Sequence, residues 1–417
     1  MNIVHVNNTD LSGRRFNGHD LQLSLNEQGH RAHQLVVEKQ GNEVTTVSLL
    51  SPHELFVRSS VRGLEQQLSL NNLLFPFGKK IAEHPIITEA DIVHYHLIHN
   101  HFISLFDYPE LFGRRPSVWT VHDPWTVTGH CVHPRECTGW QNGCHHCPQL
   151  DDSAFPMQVD KASQMWEIKR RVYQNMDVHV VVASRFMESY IRTSPLTSHL
   201  TNIYRIPFGI DVDVFSNRDR EAARQRWAIP IENFVIAFRA ETNENKGLHY
   251  ILEMLEKLSA VHPVTLLVIG NAHLPSELMG KYHVIELGWS NDQFILYDFY
   301  AACTVFLMPS IAESFGLMAI EAMASGRPII VFENTVLEEI TFAPECGFAV
   351  PYKNSDMLRD AVEWLMHHPE ECDRRGTQGR ELAAKYYRYE DYVRRHITLY
   401  EDIQDKRRES DSLREGR

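Results

Sequence analysis

The chain of 417 residues predicts an α/β architecture made of two units, each a parallel sheet covered by helices. Three observations carry this. Short apolar runs alternate with helix-forming segments, the order that strand–helix–strand crossovers require. The alternation comes in two series, parted by the Pro- and Gly-punctuated stretch 207–215, PFGIDVDVF. The length exceeds what one typical hydrophobic core serves and suits two.

In the first series, strands are expected at 3–7, 34–37, 92–95, 118–121, 178–183 and 203–206, with an amphipathic helix at 18–28 closed by Gly29. A helix is also expected through QMWEIKRRVYQN at 164–175. The second series places strands at 234–238, 265–269, 283–286, 304–308 and 329–332. Helices fall at 247–261, 293–302, 317–324, 357–366 and 370–385. The expected domains are 1–208 and 209–386. A last segment, 387–417, begins as a helix that crosses back to the first domain and ends in a frayed, mixed-charge tail. There is no internal repeat.

Composition narrows the function classes. A hydrophobic content of 43% with 23% charged residues is ordinary for a globular protein. A formal charge of −13 argues against a nucleic-acid-binding surface. No apolar run approaches the ~20 residues of a membrane span. The chain opens directly as a strand, with no basic region or cleavage site, so a cytoplasmic protein is expected. Peripheral contact with the inner face of a membrane stays open, because Trp166, Lys169, Arg170 and Arg171 share one helix; a solvated face explains them as well. The 24 histidines are scattered and are expected mostly to face solvent.

The most informative segment is AESFGLMAIEAMASGRP at 312–328. A short apolar run precedes it, Gly316 breaks the chain, and 317–324 are good helix formers that Gly326 and Pro328 stop. The first amides of that helix, near Phe315, Gly316 and Leu317, lack intrahelical acceptors and suit an anion. Glu313 stands before the helix and Glu321 one turn into it, so both can accept hydrogen bonds from hydroxyls. Two carboxylates alone would equally be a dipole-matching residue and a surface Glu.

The wording of the segment resembles the Glu-x7-Glu signature of retaining glycosyltransferases of sequence family four. That resemblance implies the GT-B fold, two Rossmann-like domains facing a central cleft, and a nucleotide-sugar donor. Glu313 would hold hydroxyls of the transferred hexose-type sugar and Glu321 the ribose, while Phe315, Gly316 and Leu317 offer amides to sugar and diphosphate. It also implies that Arg239 and Lys246 in FRAETNENKG hold the diphosphate, whose growing charge fixed cations stabilise. Leu287-Gly288-Trp289 would lie beside the nucleobase, and Gly13, in the loop after the first strand, would admit the donor closely. The family commonly has Gly-Gly there, and here Arg14 takes the second place. Arg14 or Arg15 would meet a phosphate or be plain surface charges. Phe238 likewise stands where the family usually has Gly. In Trp119-Thr120-Val121-His122-Asp123, His122 would contact the donor sugar, with Asp123 orienting its ring. Asp211-Val212-Asp213 fits the interdomain linker better than a metal motif.

Residues 119–148, WTVHDPWTVTGHCVHPRECTGWQNGCHHCP, are similar to a subgroup of bacterial exopolysaccharide transferases that includes a colanic acid fucosyltransferase. Four cysteines, Cys131, Cys137, Cys144 and Cys147, lie in this Cys-rich loop of 130–148. Cys144-x-x-Cys147 has zinc-knuckle spacing, so the four can hold a structural zinc or stand as free thiols. Cys303, Cys346 and Cys372 are expected to be lone thiols.

The expected function is therefore retaining transfer of a sugar from a UDP- or GDP-linked donor to a glycan or lipid-linked acceptor, in cell-surface or exopolysaccharide biosynthesis, with no catalytic metal. Catalysis would rest on His122, Glu313, Arg239 and Lys246. The alternatives are a nucleotide-sugar epimerase of the same fold and an inactive binding protein. The lack of Gly-x-Gly-x-x-Gly after the first strand argues against a classical dehydrogenase.

Overall fold

The computed structural model describes residues 1–290 and 292–415. The chain forms two compact units: residues 1–206 together with 393–417, and residues 207–392. The chain leaves the first unit two residues before the expected boundary. It returns at Val393, partway along the helix Tyr389–Glu415. That helix continues where a frayed tail was expected; Gly416 and Arg417 lie outside the described residues.

The first unit is built on strands β1 (Asn2–Thr9), β2 (Arg31–Glu38), β3 (Thr46–Ser48), β4 (Ile92–His96), β5 (Ser117–Thr120), β6 (His179–Val182) and β7 (Ile203–Arg205), in the order β3-β2-β1-β4-β5-β6-β7. All pairings are parallel. Helices cover both faces, so the central strands are near-continuous apolar runs, and Val4, Val6, Val93, Tyr95, Trp119 and Val180 form the middle of the core. The edge strand β3 was not expected: three residues on a sheet margin carry almost no periodic signal.

The second unit repeats the plan with β8 (Phe234–Ala240), β9 (Val264–Gly270), β10 (His283–Glu286), β11 (Val305–Met308), β12 (Ile329–Phe332) and β13 (Gly347–Val350), ordered β10-β9-β8-β11-β12-β13 and parallel throughout. Ile236, Phe238, Leu266, Leu307 and Ile330 fill its core. The helix Leu317–Ala324 is apolar all round apart from Glu321 and is buried from Ala319 to Ala324, as expected of a helix sunk between layers.

Both sheets reverse direction at an inner pair: β1 and β4 in the first, β8 and β11 in the second. In open parallel sheets the crevice outside the carboxyl ends of such a pair is where ligands bind. Of the residues singled out in the sequence, Arg239 and Lys246 lie at and after the end of β8, Glu313 after β11 and Gly13 after β1, whereas His122 follows β5 and Leu287 and Gly288 follow β10.

Candidate functional site

In the second unit, Arg239 is the penultimate residue of β8 and Lys246 follows in the turn Glu244–Lys246. Glu313 lies in the loop after β11. The two loops are docked together: Ile311 donates its amide to the Asn245 carbonyl at 2.9 Å. Gly247 makes that approach possible. Its φ is +72°, and a Cβ there would stand 2.0 Å from the Pro309 carbonyl oxygen, so only glycine fits. Lys246 Nζ donates to Glu313 Oε2 at 2.7 Å, with about a fifth of each side chain exposed. Two residues singled out 67 positions apart are thus brought into contact.

Arg239 ion-pairs with Glu241. Its guanidinium stands 5.0 Å from the ring centroid of Trp289, which is 61% exposed. Its Nε is buried and has no protein acceptor, an expensive state for a charged donor unless a ligand supplies one. Leu287 and Gly288 close the same rim: Leu287 donates to the Val268 carbonyl at 2.8 Å, and Gly270 to the Gly288 carbonyl at 3.1 Å. Gly316 caps the helix Leu317–Ala324 at φ +104°, where a Cβ would meet Leu337 at 2.4 Å. The amides that open this helix are the free donors of a helix start. Phe315 turns its ring into the core, edge-on to Phe208 and Tyr387, leaving its backbone at the rim.

Glu321 is placed otherwise than as an open carboxylate. It has no exposed surface, and its Oε2 accepts from the Tyr300 hydroxyl at 2.8 Å. Asp211 and Asp213 do not face one another as metal ligands: Asp211 caps the helix Val212–Ser216, and Asp213 pairs with Arg388 at 3.0 Å.

In the first unit, the loop after β1 is held by Asn17, whose Nδ2 donates to the carbonyls of Thr9, Asp10 and Ser12 at 2.8–2.9 Å. Gly13 lies over Phe16, where a Cβ would sit 2.6 Å from the ring, and Phe16 packs 5.7 Å from the ring of His122. Arg14 pairs with Asp20 at 2.6 Å. Asp123 does not orient His122. Both residues flank one bend, but Asp123 is taken by His99 at 3.1 Å and by the Trp125 amide at 3.0 Å.

What meets His122 is another histidine. His96 Nδ1 lies 3.3 Å from His122 Nε2, and His96 Nε2 lies 3.0 Å from His5 Nδ1. His94 stacks on His96 with centroids 4.1 Å apart, and is fixed by the Tyr400 hydroxyl at 2.6 Å and Thr120 at 2.7 Å. The expectation that the histidines face solvent therefore fails here: His5, His94, His96, His99 and His396 are all buried. They come from β1, β4, the loop after it and the last helix, so no local pattern announces them beyond the alternation His94-x-His96.

Burial pushes His122 and His5 down to about 3; a nearby Asp123 opposes this for His122, and His396 adds to it for His5. His94 and His96 are lowered by burial first and then by neighbouring histidines, His96 leading for His94 and His5 for His96. The group is thus neutral at neutral pH. Among the described residues, His5, His94 and His96 are the one set of potential ligand atoms all within 4.8 Å of one another. His94 is engaged by Tyr400 and Thr120, His96 by His5 and His122, and His5 through its Nδ1 by His96, so the set forms a hydrogen-bonded chain.

Cys131, Cys137, Cys144 and Cys147 line one cavity with His130 and His145. Cys303, Cys346 and Cys372 are buried separately in the second unit. In the helix Ala162–Tyr173, Lys169 points inward with no exposed surface, and Arg170 and Arg171 both pair with Glu167. That helix therefore does not present a Trp flanked by three cations to a membrane. Among the described residues, no helix is long and apolar enough to cross one.

Residues 219–382 match the family described as Glycosyl transferases group 1. Among curated proteins, the chain is 33% identical over 92 residues to the putative colanic acid biosynthesis glycosyl transferase WcaC of Escherichia coli, covering 20% of this chain and 22% of that one. It is 26% identical over 211 residues to the putative glycosyltransferase EpsD of Bacillus subtilis, covering 48% and 55%. The chain thus spans from about a fifth to about half the length of these two relatives. Among solved structures, Alr3699/HepE of Anabaena in complex with UDP and glucose superposes with a TM-score of 0.66 at 14% identity, over 96% of this chain and 99% of that one. The fold is that of GT-B glycosyltransferases.

Proposed function

We propose that the chain is a retaining glycosyltransferase that binds a UDP- or GDP-linked sugar on its second unit and passes the sugar to a glycan or lipid-linked acceptor in cell-surface polysaccharide synthesis. The observation that carries this is the meeting of Lys246 and Glu313 beside the buried, unpartnered Nε of Arg239, at the carboxyl ends of β8 and β11. One ligand satisfies all three. A diphosphate meets Lys246, Arg239 and the amides that open the helix Leu317–Ala324, and sugar hydroxyls replace Lys246 on Glu313. As the glycosidic bond breaks, charge grows on the leaving diphosphate, where fixed cations in a shielded site stabilise it most. In a front-face substitution that phosphate also takes the acceptor's proton, so no protein nucleophile is needed.

In the first unit His122 serves as a neutral hydrogen-bonding group for a sugar hydroxyl. The chain His5–His96–His122 fixes its tautomer. His5 Nε2 is buried without a partner, and a bare lone pair is tolerated there better than an N–H. The proton then sits on His5 Nδ1, the next on His96 Nδ1, and His122 carries its own on Nδ1. The match to group 1 glycosyl transferases, the relative named for colanic acid synthesis and the structural neighbour holding UDP and glucose support this reading.

The test is a thermal-shift screen with UDP- and GDP-sugars, followed by product analysis of the binders with and without candidate acceptors. A raised melting point and glycosylated acceptor of unchanged anomeric configuration are expected. Epimerised donor in the absence of acceptor would favour the epimerase alternative, and no response to any nucleotide sugar would overturn the proposal.

A further inference from the structure

The Cys-rich loop takes no part in the site above, yet it is built with care. Between Thr128 and Lys161 the backbone holds a single 3-10 turn, Gly139–Gln141, and no strand or longer helix. It nevertheless buries Trp140, Phe155 and Met157 in the core of the first unit. The four sulfurs line one cavity within it. Two of them accept backbone amides: Gly129 N–H donates to Cys144 Sγ at 3.1 Å, and Gly139 N–H to Cys137 Sγ at 3.4 Å. Just before Cys147, Gly143, Cys144 and His146 adopt φ values of 108°, 54° and 56°. Non-glycine residues hold that conformation at a cost, and such positions cluster at ligand clamps.

A second, independent observation points the same way. Lys169 has no exposed surface and no ion pair with any described carboxylate; its Nζ donates to the carbonyls of Trp125 and Thr128 and lies 3.3 Å from the Trp125 ring centroid. A buried ammonium needs a compensating anion. Burial lowers Lys169 to about 7, and the nearby charges of Cys144, Cys131 and Asp123 oppose that shift. Thr128, whose carbonyl accepts from Lys169 Nζ at 3.0 Å, also lines the cysteine cavity.

We propose that Cys131, Cys137, Cys144 and Cys147 bind a structural zinc ion as four thiolates, with Lys169 as the buried cation that balances the resulting dianion. Zinc with four cysteines is a closed, tetrahedral site that contributes folding energy and leaves no position for substrate. It would order the loop rather than catalyse. Zn–S bonds of about 2.3 Å set the sulfurs about 3.8 Å apart, whereas no three of the four lie within 4.8 Å of one another. Binding therefore draws the loop inward. The histidines lining the cavity are otherwise engaged: His130 with the Gln149 carbonyl at 2.8 Å and His145 with Ser163 at 3.2 Å.

The experiment uses the full chain purified without chelator or affinity metal. Elemental analysis should find about one zinc per chain. Cobalt(II) exchanged into the site should show the sulfur-to-metal charge-transfer bands and strong visible bands of a tetrahedral thiolate site. Cys137 and Cys147, both partly exposed, should resist alkylation until a strong chelator is added, as read by mass spectrometry. Sub-stoichiometric metal, with Cys137 and Cys147 alkylated at the same rate with and without chelator, would overturn the proposal. If Cys144→Ser fails to fold, the cobalt spectrum of the unaltered chain still decides. Lys169→Met should lower zinc retention against a chelator at least tenfold, and unchanged retention would remove Lys169 from the site.

Discussion

Lys246 and Glu313 form an ion pair at 2.7 Å across 67 residues of sequence, each carried on a loop that begins at the carboxyl end of an inner strand. In the proposed site, this pair would keep both charges ready to exchange partners when a ligand binds. Altering either residue removes a charge-assisted hydrogen bond from the other, which is itself mostly buried.

Glu313→Gln should lower turnover by about 10²–10³-fold while changing donor affinity little, because the loss falls on contacts that tighten as the sugar develops charge. Lys246→Ala should raise the donor KM as well. The double variant should be less impaired than the product of the two single losses, as for residues acting as one unit. Steady-state kinetics with the donor found in the thermal-shift screen measures all three.

Trp289 flanks the Arg239 guanidinium at 5.0 Å while 61% exposed. Trp289→Ala should weaken donor binding by about 1 kcal/mol, near fivefold in Kd, from the lost cation–π support. The melting temperature of the free protein should hardly move, since the ring buries little. Titration calorimetry and a thermal scan separate the two effects.

Gly247→Ala puts a Cβ 2.0 Å from the Pro309 oxygen at a φ of +72°. The second unit should lose about 1–3 kcal/mol, seen as a lowered melting temperature. The Lys246–Glu313 register should be lost with it, so activity should fall even at temperatures where the variant stays folded.

The buried histidines make the first unit acid-labile. His5 has a folded pKa of about 3 against an ordinary 6.5, so as pH falls the unfolded chain takes up the proton first. Stability is full above pH 6.5 and is lost progressively as pH drops toward 3. For His5 alone this is about 2 kcal/mol by pH 5, at 1.36 kcal/mol per unit. His94 and His96 are shifted in the same direction and steepen the loss. Urea unfolding at pH 7.5, 6 and 5 should show it, and His5→Leu should flatten the dependence.

Much of this was legible beforehand, for a physical reason. β11 and β12 are buried on both faces, so VFLM and IIVF stand out as unbroken apolar runs bounded by turn residues. The helix Pro52–Gln67 was missed although Ser51 and Glu54 form a full capping box with Pro52 at its first position; the signal was local and simply unread. β13 was missed because Gly347 opens it. A Cβ there would lie 1.9 Å from the Ile329 oxygen, so glycine serves close strand approach where β propensity argues against a strand. The site divides in the same way. Lys246 and Glu313 were found because a linear motif marks them. His5, His96 and Lys169 were not, because each is defined by what folds against it from a distant segment.

The last helix carries a consequence for how the protein is made. His94 is fixed by Tyr400, 306 residues further along, and residues 393–417 belong with the first unit. The second unit is continuous in the chain and is complete once residue 392 has emerged from the ribosome. The first is interrupted, and its histidine cluster stays unfinished until Tyr400 has emerged. The usual order, in which the amino-terminal domain folds first during synthesis, is therefore inverted here. A nascent chain stalled before Tyr400 should hold a protease-resistant second unit beside a first unit that is still open.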